Sequence, residues 1–145
     1  MALIIALAAL TGCAKDGYLP GTRVLTVATS GDVVLVGFSQ SFGATGNFEL
    51  TSIHGQPMAC RGTFRYAAPP RGGARFNCTN GETGSVRIEA GRGWSGEGFG
   101  QSTRGPVRIL YGYSLEEINA RMTFPEGKVL VRDEKGIRLV SEDEL

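Results

Sequence analysis

The chain has little of what most enzymes are built from. Among 145 residues there are one histidine, one tryptophan and three cysteines. His54 sits in the turn-like stretch HGQP, with no serine or aspartate at a triad spacing, so it reads as a surface histidine and not as a general base. The cysteines lack C-x-x-C spacing and cannot complete a tetrahedral shell with one distant imidazole, so neither a redox pair nor a metal is expected, and no cofactor. Lysine is scarce, three against twelve arginines, and the formal net charge is only +1. No global field therefore recruits nucleic acid or anionic membrane. Glu116 and Glu117 suit a helix N-terminus better than paired-carboxylate glycosidase chemistry. A non-catalytic protein is expected.

Glycine is abundant, with 22 residues and no strict period. Helical periodicity is missing from 23 to 113; short apolar runs alternate there with Gly-rich punctuation, beginning with RVLTVAT (23–29) and VVLVGFS (33–39) and ending with PVRILYGY (106–113). Seven or so strands at this spacing predict a mainly β chain: an antiparallel Gly-rich meander forming a small sandwich or barrel. The glycines of GRGWSGEGFG (91–100) are followed by neither a helix pattern nor a Lys-Ser/Thr pair, so they do not cradle a nucleotide. They read as a bent strand in which Trp94 and Phe99 pack over neighbouring backbone. From Ser114 the pattern changes. Ser114 and Glu117 form a capping box, and Leu115, Ile118 and Met122 share one helical face. KVLVR (128–132) and IRLV (137–140) predict a terminal hairpin docked through Val129, Val131, Ile137 and Leu139.

Residues 1–12, MALIIALAALTG, carry no charged side chain. Ten helical residues span about 15 Å, half of a bilayer core, so the run suits a signal peptide and not an anchor. It ends in Leu10-Thr11-Gly12-Cys13, which resembles the bacterial lipobox. The resemblance implies that the Cys13 thiol receives diacylglycerol and becomes the acylated N-terminus of the mature chain. Ala14, in place of Asp, follows it, which by the same resemblance favours the periplasmic face of the outer membrane. The organisation expected is a signal peptide (1–12), a tether (13–22), an antiparallel β domain (23–113) and a helix-plus-hairpin extension (114–145).

Export leaves Cys60 and Cys78 as an even pair in an oxidising compartment, where a disulfide is the default. Strand alternation supports the pairing. A hairpin turning around Ala67–Gly73 with Cys60 opposite Cys78 sets Gly62 against Phe76 and Phe64 against Ala74, large against small.

Between Glu49 and Glu82 no acidic residue occurs, yet Arg61, Arg65, Arg71 and Arg75 do. In that register Arg61, Arg65 and Arg75 point outward and Arg71 projects from the loop. Arginine forks suit phosphate and carboxylate, so the face is a candidate anion-binding surface; the plain alternative is a solvated strand face. Residues 1–113 carry ten basic and six acidic side chains, and 114–145 carry five and eight, so the two parts are expected to neutralise each other in part.

The lipobox, the run Cys60-x-Gly62-x-Phe64 and the stretch Cys78-Thr79-Asn80-Gly81-Glu82-Thr83-Gly84 together resemble small, Gly-rich β lipoproteins of proteobacteria, over about residues 46–112. The resemblance implies an envelope lipoprotein held to the membrane through its covalent lipid. Its expected role is that of an accessory or assembly partner of another envelope protein. The other reading is an anion-binding module for lipopolysaccharide, phospholipid or glycan, working through the arginine face.

Overall fold

The computed structural model describes residues 21–91 and 93–145. The expected signal peptide, Cys13 and nearly all of the tether lie outside the described residues. Eight strands follow in order: β1 (Arg23–Ser30), β2 (Val33–Phe42), β3 (Thr45–His54), β4 (Ala59–Ala68), β5 (Arg71–Cys78), β6 (Thr83–Ala90), β7 (Gly96–Ser102) and β8 (Gly105–Tyr111). Each pairs antiparallel with the next, and β1 pairs with β8, so the meander closes into a barrel. Closure leaves no unpaired strand edge. Of the two architectures open in the sequence, the barrel is the one formed.

The inside is apolar because the strands alternate, most cleanly from β3 to β6. Phe48 and Leu50 of β3, Cys60 of β4, Ala74 and Phe76 of β5, Val86 and Ile88 of β6, and Val107, Ile109 and Tyr111 of β8 all belong to one buried cluster. Glycines on these strands make room for rings. A Cβ on Gly62 would overlap the ring of Phe48 directly opposite, and one on Gly46 would overlap the ring of Phe64. Gly84 accommodates Phe76 and Gly96 accommodates Tyr111 in the same way. Much of the glycine content is therefore a packing device, and eight strands enclose only as much space as their side chains fill.

Cys60 faces Cys78 in register and the two form a disulfide, with Cα atoms 4.0 Å apart. Gly62 lies opposite Phe76 and Phe64 opposite Ala74, as the alternation predicts. The turn is tighter than expected: β4 runs to Ala68 and β5 starts at Arg71, so Arg71 is a strand residue and not a loop residue. β6 ends at Ala90 and β7 starts only at Gly96. Phe99 is exposed on the outer face under the Arg108 guanidinium, 5.2 Å from its ring centre, and does not pack over backbone.

After β8 come α1 (Leu115–Arg121) and a hairpin of β9 (Val129–Asp133) and β10 (Gly136–Val140). Ser114 and Glu117 make the reciprocal capping box. Ile118, Met122, Phe124 and Leu130 form a second core with Val27, Val34 and Leu110 on the outer face of β1, β2 and β8. β1 is thus buried on both faces. On β9 the buried residue is Leu130, whereas Val129 and Val131 stay half-buried outside that cluster. Ile137 and Leu139 pack on it as expected. The register of β9 is fixed from outside its own pattern: the Asn119 side chain donates to the Leu130 carbonyl at 2.9 Å and accepts from the Leu130 N–H at 2.8 Å.

The barrel has two ends. At one, the described chain enters, with the Gly21 N–H donating to the Ser41 carbonyl at 2.7 Å beside the loops joining β2 to β3, β4 to β5 and β6 to β7. The other end carries the turns after β1, β3, β5 and β7.

Candidate anion-binding face

Three small cavities lie along the barrel axis, each of about 20 Å³. That is space for one water apiece. The polar groups inside are mostly paired with each other. Thr26 and Ser39 hydroxyls meet at 2.6 Å, and the Tyr66 and Tyr111 hydroxyls at 2.5 Å. Burial pushes the ionisation of both tyrosines to higher pH; for Tyr111 the bond to Tyr66 adds to the effect. At the far end Glu82, 3% exposed, accepts a bond from Ser30 Oγ at 3.0 Å through Oε1, while Oε2 has no partner. His54 is half-buried at the end of β3. No three His, Cys, Asp or Glu side chains among the described residues converge on one point. These interior cavities are of water size, and the larger depression lies on the outer surface.

On the outer face of β4 to β8 one cross-strand row reads Arg65, Gly73, Arg87, Phe99, Arg108. Neighbouring strands lie about 4.8 Å apart, so Arg65 and Arg87 flank Gly73 at one strand spacing each. Arg71 and Arg75 stand two residues before and after Gly73 on the same face of β5. Four arginines therefore occupy the outward positions around one residue with no side chain. The space above it is open: a Cβ on Gly73 would meet only the Val86 carbonyl oxygen, at 3.7 Å. This sets Gly73 apart from the interior glycines, where a ring occupies that volume. All four arginines are exposed, and none has a carboxylate within ion-pair distance among the described residues. Beside them, toward the entry end, a surface depression of about 630 Å³ is lined by Ala67, Ala68, Arg71, Arg87, Glu89, Glu97 and Phe99.

The structure thus redraws the candidate set. Arg65, Arg71 and Arg75 come together around Gly73. Arg61 lies one register step beyond Arg75, opposite Asn77, and pairs with Glu49 at 3.3 Å. Arg87 completes the group. In the sequence it lies in SVRIEA, beyond Glu82 and outside the acid-free window that holds the other three. Its outward position does follow from strand alternation, so a register for β5 and β6 would have found it.

The expected neutralisation between the basic barrel and the acidic C-terminal extension does not occur at this face. The extension packs on the far side, over β1, β2 and β8, and three of its acids, Glu117, Glu126 and Asp133, have local partners. Glu126 pairs with Lys128 at 2.9 Å, and that bond holds its carboxyl below the usual range. Asp133 is likewise lowered by Arg138 and the Lys135 N–H. Glu117 is lowered by its capping bonds to Ser114.

No helix is long and apolar enough to cross a membrane among the described residues. The barrel itself is apolar inside and arginine-studded outside, the reverse of a membrane-spanning barrel. No family model, curated protein or solved structure matches the chain.

Proposed function

We propose that the protein is a non-catalytic bacterial envelope lipoprotein, acylated at Cys13, that holds anionic envelope groups on the outer face of β4 to β6. The observation that carries this reading is the placement of Arg65, Arg71, Arg75 and Arg87 around the bare Gly73 position, none of them in an ion pair among the described residues and with Glu89 opposite Arg71. Guanidinium forks bind phosphate and carboxylate in a bidentate manner, and the opening over Gly73 lets an anion reach several forks together. The chemistry recognised is a phosphate or carboxylate on a lipid headgroup, a lipopolysaccharide or a glycan. The accessory role implied by the family resemblance then consists of holding such a component near the membrane that carries the lipid.

The test uses the mature chain, residues 13–145, carrying Cys13→Ser so that acyl chains do not dominate retention. Wild-type sequence elsewhere is retained on immobilised lipopolysaccharide, and retention falls as salt rises. The fourfold change of Arg65, Arg71, Arg75 and Arg87 to Ser abolishes it, whereas Arg61→Ser has little effect. Equal retention of the fourfold variant overturns the reading. A mass spectrum of the native N-terminus tests acylation separately.

A further inference from the structure

The two ends of the barrel differ in a way that neither the strand pattern nor the arginine group requires. At the entry end the connecting segments 41–46, 66–71 and 90–96 read SFGATG, YAAPPR and AGRGWSG, without a single acidic residue. Phe42, Pro69 and Pro70 are exposed there, with Phe42 at 53%. Arg23 and Arg71 stand at the strand ends beside them. The rim is one connected surface: Tyr66 N–H donates to the Ala44 carbonyl at 2.8 Å and Ala90 N–H to the Pro70 carbonyl at 2.8 Å. At the other end, Asp32 and Gln56 are exposed and Glu82 is the buried acid.

Glu89 and Glu97 flank the third segment, and Glu89 lies opposite Arg71; the same rim is where the described chain begins, at Gly21. Cys13 precedes Gly21 by eight residues, a reach of at most about 28 Å. An acyl anchor at Cys13 therefore presents this end to the bilayer first. Exposed aromatic, proline and small residues at the loop tips beside arginine match a headgroup interface, with Glu89 and Glu97 set back on the strands below them. We infer that the entry end of the barrel, centred on Phe42, Pro69 and Pro70 with Arg71 beside them, is a surface that rests on a lipid bilayer. The occupant is the membrane itself. The inference takes its orientation from the acylated reading above, yet its contacts belong to the rim alone.

The geometry also relates the rim to the arginine group. Arg71 is the first residue of β5 and Gly73 lies two residues on, about 7 Å along the strand. With the rim on the membrane, the group lies within about one Debye length of the headgroup phosphates, where each arginine contributes about fivefold to partition.

The chain's only tryptophan, Trp94, lies in the rim loop joining β6 to β7 and serves as the probe. Mature acylated protein is reconstituted in vesicles of equal parts phosphatidylethanolamine and phosphatidylglycerol, with lipids brominated near the headgroup. Trp94 emission is expected to be quenched. In the mature Cys13→Ser chain, Phe42→Asp is expected to lower partition into the same vesicles by about tenfold, whereas Gln56→Asp at the opposite end leaves it unchanged. Unquenched Trp94 in vesicle-bound acylated protein overturns the inference while acylation stands; equal partition of the two variants does the same. An unmodified Cys13 in the native protein, with Trp94 still quenched, overturns the anchor and leaves the rim contact intact. Should Phe42→Asp fail to fold, the quenching of the unaltered protein decides.

Discussion

The ring of Phe48 on β3 occupies the space that a side chain at Gly62 on β4 would need. Gly62→Ala therefore drives a methyl group into an aromatic ring in a filled interior. A loss of about 1–3 kcal/mol is expected, the usual cost of overpacking. Gly73→Ala is the matched control, since its Cβ enters open space and alanine relieves the entropy cost of glycine in a strand. It should be neutral or stabilising by up to about 1 kcal/mol. Urea midpoints of the two variants check both statements.

Reduction of the Cys60–Cys78 disulfide removes a link across 18 residues of sequence. A loss of about 3 kcal/mol is expected from the loop closed. The double Cys60→Ser and Cys78→Ser variant should unfold at the same denaturant concentration with and without reductant, while the native chain shifts.

Asn119 supplies both hydrogen bonds that a neighbouring strand would give Leu130. Asn119→Ala leaves the Leu130 N–H and carbonyl without those partners, at a cost of about 1–3 kcal/mol. Hydrogen exchange should show the loss in β9 and β10, with the amides of β3 to β6 still protected. Uniform loss across the barrel would contradict the placement of Asn119 as a local splice.

Tyr66 and Tyr111 ionise at higher pH in the folded chain than in the unfolded one, because burial disfavours their charged forms. The unfolded chain gives up these protons first. Their contribution is therefore complete below about pH 10, the unfolded value, and is lost as pH rises beyond it. Alkaline unfolding is expected to show a tyrosinate absorbance step that coincides with loss of structure. The double variant Tyr66→Phe and Tyr111→Phe should move that transition to higher pH.

Some of this architecture is legible in the residue order and some is not, and the reasons are physical. The β4–β5 register follows from Cys60, Gly62 and Phe64 meeting Cys78, Phe76 and Ala74, because one wrong step would turn every large side chain outward. The capping box at Ser114 is local chemistry and reads directly. In β9 the run Val129-Leu130-Val131 is apolar on both faces, so alternation alone leaves its buried side undecided; the choice is made by Asn119, eleven residues away. The pairing of β1 with β8 joins the two ends of the barrel domain, and no short-range signal announces it. Arg87 was hidden for a related reason. Its neighbours Arg65 and Gly73 are adjacent across strands and not along the chain.

The helix and hairpin lie across the seam where the first strand of the barrel meets the last, over Val27 and Leu110. That seam is the longest-range pairing of the barrel, and it cannot form until the end of β8 has been made. A chain that stopped at residue 113 would bring the two strands together but leave their outer apolar side chains wet. The final thirty-two residues thus act as a clasp, and a prematurely ended product would present a sticky stripe to any protein that samples incompletely folded chains.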